Sequence, residues 1–485
     1  MKRYCFITSI ILFMMLSLNV YAAQTKEILK VNIEGEEKDL RILNQEYENN
    51  VYISLTDMSY ILKDTEKAFV VEFGSKDGMS YVELKDGVIS EEDYAFDKES
   101  FLPEEEKDEK VNYARKRNLI GIDGNDYSFY SIIVNEKEYK DCYVNLGEFA
   151  LAMDIDMSIK DNVVYINPKS EFNFNKNNII ESGIADMADS CMVGDVTTGN
   201  IFYSSNADVA VAIASTTKLM TYLVIKDAMS EGKISENDTI VFSKKASDLS
   251  KTSNGVVNVE EGQRADIRDV IDAMLICSSN ECALALAEHL CSNEEDFVEL
   301  MNRKAIAIGL SQHTEFNNPH GLPVYKEDVL TIKHQNRLSA NDMFKLSGYI
   351  LDRYPEITEI TSVKKTRLAS LNNFEAKNTN TLLSNVPGTV GLKTGTTDKA
   401  QSCLVSAYPM KDMGGNTHYV VAIVYGAENV QTQGYASMVL MRYGIQKFNA
   451  TQLGIMPGSE DEFTVPKTFD ELAGAVINAA RRNIK

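Results

Sequence analysis

The chain has 485 residues, with 71 Asp and Glu against 49 Lys and Arg and a formal net charge of −22. A hydrophobic fraction of 44% and a charged fraction of 25% belong to a globular protein long enough to bury a full core, which excludes bulk disorder. The acidic balance excludes a nucleic-acid partner, which needs a basic footprint, and argues against electrostatic docking on anionic lipid.

Lys2 and Arg3 precede an apolar run from Cys5 to Val20, and Val20-Tyr21-Ala22 places small residues where a signal peptidase reads. Residues 1–22 are therefore expected to be a secretory signal peptide. The run is short for a membrane span and is interrupted by Thr8, Ser9 and Ser17. The cysteines beyond it (Cys142, Cys191, Cys277, Cys282, Cys291 and Cys403) lack the regular spacing of a disulfide scaffold and are expected to be buried thiols. The five histidines show no zinc spacing and no His-Glu-x-x-His, so a zinc peptidase is not expected, and the sequence calls for no cofactor.

From 24 to 170 the chain repeats itself. Tyr52-Ile53-Ser54-Leu55-Thr56-Asp57-Met58 returns as Tyr143-Val144-Asn145-Leu146-Gly147-Glu148-Phe149. Each copy reads as a short strand entering a helix, followed by a strand at Phe69–Phe73 or Val163–Ile166. Two copies are too few for a solenoid and indicate a small two-repeat α+β domain. Between them, Glu91 to Lys110 reads as a solvated acidic loop. The repeated pattern resembles the copper amine oxidase N-terminal-like, or stalk, domain of exported bacterial proteins. No histidine precedes His289, so copper has no imidazole ligands in this region.

Pro168 to Ser182 reads as a linker. A hairpin is expected across Cys191–Tyr203, with its turn at Thr197-Thr198-Gly199-Asn200. A strong helix begins near Ala214, and further helices lie around 268–291 and 295–309. Strands are expected at Thr389–Lys393, Cys403–Tyr408 and Tyr419–Tyr425, then a helix over Ala436–Phe448. This order describes an α+β domain in which helices flank an antiparallel sheet.

Three short motifs punctuate these elements. Ser215-Thr216-Thr217-Lys218 opens the strong helix, and a spacing of three stacks hydroxyl and amine on one face. A serine hydroxyl becomes a nucleophile when a base takes its proton, which a lysine can do if burial and a second cation lower its pKa. Ser278-Ser279-Asn280 lies between helices and offers a proton-relaying hydroxyl and a carboxamide that can hold a lysine and a substrate amide. Lys393-Thr394-Gly395 lies on a strand, where a cation and a hydroxyl suit a carboxylate and glycine lets a substrate backbone approach. Each motif alone is weak. In this order and setting they form the set shared by class A β-lactamases and penicillin-binding proteins.

Residues 183–450 resemble the serine D-Ala-D-Ala carboxypeptidases, the low-molecular-mass penicillin-binding proteins. The resemblance extends to Phe316-Asn317-Asn318-Pro319-His320-Gly321-Leu322, to Leu338-Ser339-Ala340-Asn341-Asp342-Met343 and to Asn378-Thr379-Asn380 ahead of Lys393. It implies the serine β-lactamase/penicillin-binding transpeptidase-like fold. It also implies peptidoglycan stem peptides as substrate, β-lactams as covalent inhibitors, and action outside the cytoplasmic membrane. By the same resemblance Ser215 is the nucleophile, Lys218 its base, and Ser278 and Asn280 the relay. Lys393 and Thr394 would bind the terminal carboxylate, with Gly395, Thr396 and His320 also in the substrate site; the amides of Ser215 and Thr396 would form the oxyanion hole.

The chain departs from the pattern at Ser279, where glycine is usual, at Thr396, where histidine is common, at Gln401, and at Thr379 and near Gln433, where some members carry arginine. A β-lactamase would need a glutamate for deacylation, and Glu315 is the candidate by position. A catalytically silent wall-binding scaffold is the second alternative. The tail, residues 451–485, carries an apolar stripe (Phe469, Leu472, Ala473, Val476, Ile477, Ala480, Ile484) ending in Arg481, Arg482 and Lys485. Such a helix can seat on a membrane surface or pack on protein.

Overall fold

The computed structural model describes residues 24–45, 50–76, 79–90, 94, 101, 110–111, 115–122, 125–136, 139–160, 163–170, 172, 187–326 and 329–452. The expected signal peptide, most of the acidic loop, most of the linker and the apolar tail lie outside these residues. Two compact units divide the chain, Met1–Ile179 and Ile180–Lys485.

Among its described residues the first unit is built on one eleven-stranded sheet. The strands are β1 (Gln24–Ile33), β2 (Glu36–Gln45), β3 (Asn50–Ser54), β4 (Phe69–Lys76), β5 (Met79–Asp86), β6 (Lys110–Val111), β7 (Arg115–Ile122), β8 (Asn125–Glu136), β9 (Tyr139–Asn145), β10 (Asp156–Lys160) and β11 (Val163–Asn167). Their order is β10-β11-β1-β2-β3-β9-β8-β7-β5-β4, with β6 beside β1. Pairing is antiparallel except for β1 with β11 and β5 with β7.

The sequence repeat is spatial. β3 enters the helix Leu55–Ile61, whose amide at Asp57 is capped by Ser54. β9 enters the helix Leu146–Met153, capped by Asn145. The two strands pair antiparallel with Tyr52 opposite Asn145, Ile53 opposite Val144 and Ser54 opposite Tyr143. Equivalent residues of the copies thus pair reciprocally, as a local two-fold axis requires. The unit contains far more strand than a small α+β reading implies, because long hairpins such as β1–β2 and β7–β8 extend both edges of the repeat.

In the second unit five strands form an antiparallel sheet in the order Asn200–Ser205, Ser190–Asp195, Thr417–Ala427, Gln401–Lys411, Gly391–Thr397. The hairpin and the last two strands occupy their expected places. The edge strand starts later than expected, at Gly391, which moves Lys393-Thr394-Gly395 from the strand end to its middle. The helix Val430–Gln452 packs on this sheet, and the helix Lys218–Ser230 lies within the core of the unit. Leu219, Met220, Leu223 and Ile225 of the latter are fully buried although they span more than one face, the mark of a helix enclosed on all sides. The cysteines among the described residues are free thiols; five are buried and Cys291 is half-buried. No described helix is long and apolar enough to cross a membrane.

Candidate functional site

The nucleophile motif begins in a tight 3₁₀ turn, Ala214–Thr217, and only Lys218 opens the α-helix. From sequence the strong helix is expected to begin near Ala214, with Ser215 at its start. The difference matters because residues i and i+3 eclipse in a 3₁₀ turn. Ser215 and Lys218 are thereby brought into register, and Lys218 Nζ donates to Ser215 Oγ at 2.8 Å. The turn is entered through Ala214 at φ +46°, a left-handed conformation costly for alanine. It is held by Thr217 Oγ1 donating to the Ala214 carbonyl at 2.7 Å and Thr216 Oγ1 to that of Ile213 at 2.7 Å.

Lys218 is fully buried, and its amine makes two further bonds, to Asn280 Oδ1 and to the His320 carbonyl, each at 2.8 Å. Burial first, and then the charge of Lys393, hold its pKa well below the ordinary lysine value. Lys393 is itself 1% exposed, and burial pushes its amine down to about 7. Its Nζ donates to the Thr394 carbonyl at 2.9 Å. The Thr394 hydroxyl meets that of Thr379, the position at which the resemblance allows arginine in some members. Gln433 is buried and donates to the Cys403 carbonyl, so its amide serves the packing of the sheet. Thr396 is exposed on the edge strand.

Ser278 sits between the helices Ile267–Ile276 and Asn280–Cys291 at φ +64°, half-buried. Ser279, the departure from glycine, is at φ −57° and caps the second helix, its Oγ accepting from Cys282 N at 3.1 Å. The left-handed residue of this turn is thus Ser278, so position 279 needs no glycine and its hydroxyl satisfies a free helix amide.

Two glycines have reasons the sequence did not disclose. A Cβ on Gly395 would lie 2.7 Å from Ser215 N. The glycine read as room for a substrate backbone instead lets the edge strand pass against the nucleophile's own amide. Gly321 has φ +92°, and a Cβ there would lie 2.0 Å from the Ala214 carbonyl oxygen.

The resemblance puts His320 in the substrate site, and the structure shows which part of it meets Lys218. Its ring is buried, with Nε2 3.5 Å from Glu294 Oε1 and Nδ1 accepting from Leu322 N at 3.1 Å. Its main-chain carbonyl, not its imidazole, meets Lys218. Burial lowers its pKa, with Glu294 opposing. The surrounding turn is tied down by Asn318, whose Oδ1 accepts from His320 N and Gly321 N, and by Asn336, which bonds Thr217 Oγ1 and the Asn318 carbonyl at 2.9 Å each. Asn318 of this motif and Asn336 beyond it therefore hold the turn whose carbonyl meets Lys218. Backbone carbonyls carry no signature in a sequence, so this role was not visible there. Glu315 is exposed and pairs through its backbone with Arg337. The described residues contain no cluster suited to a metal ion.

The structure thus brings Ser215, Lys218, Asn280, Lys393 and the His320 carbonyl together, with Ser278, Thr394 and Gly395 on the adjoining turn and strand. This arrangement sets an amine of lowered pKa against a serine hydroxyl, with a second lysine nearby whose charge suits an anionic group.

The sequence profile of peptidase S11, described as D-alanyl-D-alanine carboxypeptidase, matches residues 178–429. The D-alanyl-D-alanine carboxypeptidase DacF of Bacillus subtilis (strain 168) is 29% identical over 274 residues, 56% of this chain and 66% of that protein. The D-alanyl-D-alanine endopeptidase of Pseudomonas aeruginosa is 32% identical over 220 residues, 44% of this chain and 65% of that one. The chain spans just under two thirds of the length of these curated relatives. Among solved structures, penicillin-binding protein D2 of Listeria monocytogenes in its ampicillin-bound form is 28% identical, covering 53% of this chain and 97% of that chain at a TM-score of 0.46.

Proposed function

Because the chain belongs to the D-alanyl-D-alanine carboxypeptidase family, we propose that residues 183–450 are a serine D-Ala-D-Ala carboxypeptidase acting on peptidoglycan stem pentapeptides. The observation that carries this reading is the buried Lys218 amine 2.8 Å from Ser215 Oγ. Asn280 Oδ1 and the His320 carbonyl can accept the two protons of a neutral amine, leaving the Nζ lone pair for the Ser215 hydroxyl proton, and burial with the charge of Lys393 shifts Lys218 toward that form.

Ser215 Oγ attacks the carbonyl between the two D-alanines as its proton passes to Lys218 Nζ. The amides of Ser215 and Thr396 receive the developing oxyanion. Ser278 relays the proton to the departing amine, and the bond to the terminal D-alanine breaks. Asn280 holds both Lys218 and a substrate amide. Lys393 and Thr394 receive the terminal carboxylate, with the Thr379 hydroxyl beside them in place of a guanidinium. Water then cleaves the ester on Ser215. A β-lactam acylates Ser215 by the same attack, its ring amide standing for the dipeptide.

Residues 24–170 serve in this reading as a stalk on an exported enzyme working at the wall or the outer face of the membrane, and residues 451–485 offer a helix for the membrane surface. Fractionation of a truncation at Pro466 tests the anchor; unchanged membrane association removes it. Mass spectrometry of a pentapeptide incubated with the protein tests the activity. The expected product lacks one D-Ala, and Ser215→Ala abolishes both this loss and labelling by fluorescent penicillin. Intact pentapeptide with active-site labelling absent in the unmodified protein would overturn the reading, and penicilloyl turnover in milliseconds would replace it with a β-lactamase.

A further inference from the structure

We propose that Glu281, the residue after the middle motif, is a positioning residue that ties the loop Thr252–Val257 to Lys218 through Asn280 and supplies the negative charge that acts on Lys218. The proposal rests on the reading of Ser215 and Lys218 as nucleophile and base.

Glu281 is fully buried in the first turn of the helix Asn280–Cys291. Its Oε1 accepts the amide of Val256 at 3.1 Å and that of Val257. Its Oε2 is buried without a hydrogen-bond partner among the described residues. The loop so clamped includes Asn254, whose carbonyl accepts from Asn280 Nδ2 at 2.8 Å. A carboxamide has one donor end and one acceptor end, so anchoring the Nδ2 on Asn254 turns the Oδ1 toward Lys218, which it meets at 2.8 Å. One carboxylate oxygen thus sets which end of Asn280 the lysine sees.

The other oxygen accounts for the charge. A buried carboxylate oxygen without a hydrogen-bond partner needs a compensating field. The groups acting electrostatically on Lys218 are Lys393 on the edge strand, Glu281 and Cys282 on the helix, and Cys277 ahead of Ser278, while Lys218 in turn acts on His320. Glu281 favours the protonated amine, whereas burial and Lys393 favour the neutral one. Glu281 thereby limits how far the base is weakened, and a base of very low pKa takes a serine proton poorly.

Two variants of the full chain separate the roles. Glu281→Gln keeps an oxygen within reach of both amides and loses the charge. Glu281→Asp keeps the charge and falls one methylene short of the amides. The second-order rate of acylation by a fluorescent penicillin is measured from pH 5 to 10, alongside the Lys218 titration by NMR of ¹³C-lysine-labelled protein. In E281Q the acidic limb and the Lys218 midpoint should move down by about one pH unit or more. In E281D the limb should stay while the plateau rate falls on the order of tenfold to a hundredfold. An E281Q protein with lowered stability but an unmoved limb and midpoint overturns the proposal, since a purely structural carboxylate would behave so. If the unmodified protein is not acylated, the functional reading fails, and the NMR midpoint still decides the role of Glu281.

Discussion

Replacing Lys393 by methionine should stabilise the protein at mildly acidic pH while removing its chemistry. Lys393 is 1% exposed, and burial takes its amine from the ordinary 10.5 to about 7. A drop of about 3.5 pH units at about 1.4 kcal/mol each corresponds to about 5 kcal/mol by which folding disfavours the protonated amine. The unfolded lysine holds its proton up to pH 10.5 and the folded one only to about 7. Between these values the unfolded chain binds more protons, so stability rises with pH. Below pH 7 the wild type carries the whole cost, and above 10.5 none of it. Exchanging buried charged groups for apolar residues of similar volume has stabilised proteins by about 1–4 kcal/mol, so the gain in K393M at pH 6 is expected to be about 1–4 kcal/mol, below the full cost of about 5 kcal/mol. It should shrink by about 1.4 kcal/mol per pH unit from 7 to 10.5. The chain has no tryptophan and 23 tyrosines, so urea unfolding at pH 6, 8 and 9.5 can be followed by tyrosine fluorescence. A stability difference between the two proteins that does not change with pH, or a K393M protein less stable at pH 6, would refute the buried-cation argument.

Gly395→Ala places a methyl 2.7 Å from Ser215 N, and the displaced strand should slow penicillin acylation on the order of a hundredfold; stopped-flow fluorescence reads this directly. Gly321→Ala combines φ +92° with a Cβ 2.0 Å from the Ala214 carbonyl oxygen, so thermal melting should show a lower Tm together with slowed acylation. Ser279→Ala removes the cap on Cys282 N and should cost about 1 kcal/mol in urea unfolding. In Ser279→Gly the same cap is lost but the cost should be a few tenths of a kcal/mol, which chemical denaturation can resolve.

Much of the catalytic unit was legible because its signals are local. The hairpin at Ser190–Ser205, the helix from Lys218 and the strands near 401–427 follow from alternation and turn residues that neighbours in sequence supply. The edge strand began two residues later than its apolar pattern suggested, because pairing with Gln401–Lys411 sets its register. In the first unit the two copies of strand and helix were legible, whereas the parallel pairing of β1 with β11 joins residues more than a hundred positions apart, which no local pattern encodes. His320 illustrates the limit at the site. The resemblance implies a place for His320 in the substrate site, but whether its ring or its carbonyl faces the lysine depends on Glu294 and Leu322 holding the imidazole elsewhere.

The amino-acid sequence by itself determined which groups are present, their order, and the spacing of three that lets one turn present a hydroxyl and an amine together. Those are consequences of covalent geometry and helical pitch. Only the tertiary structure decided how that amine titrates. An exposed lysine titrates near 10.5, and Lys218 departs from that value because the fold removes it from water and sets Lys393 against it. The same holds for the glycines at 321 and 395, which are required by backbone from other parts of the chain. Sequence order specifies the reacting groups, while burial and close approach, which arise only when distant segments pack, specify their reactivity.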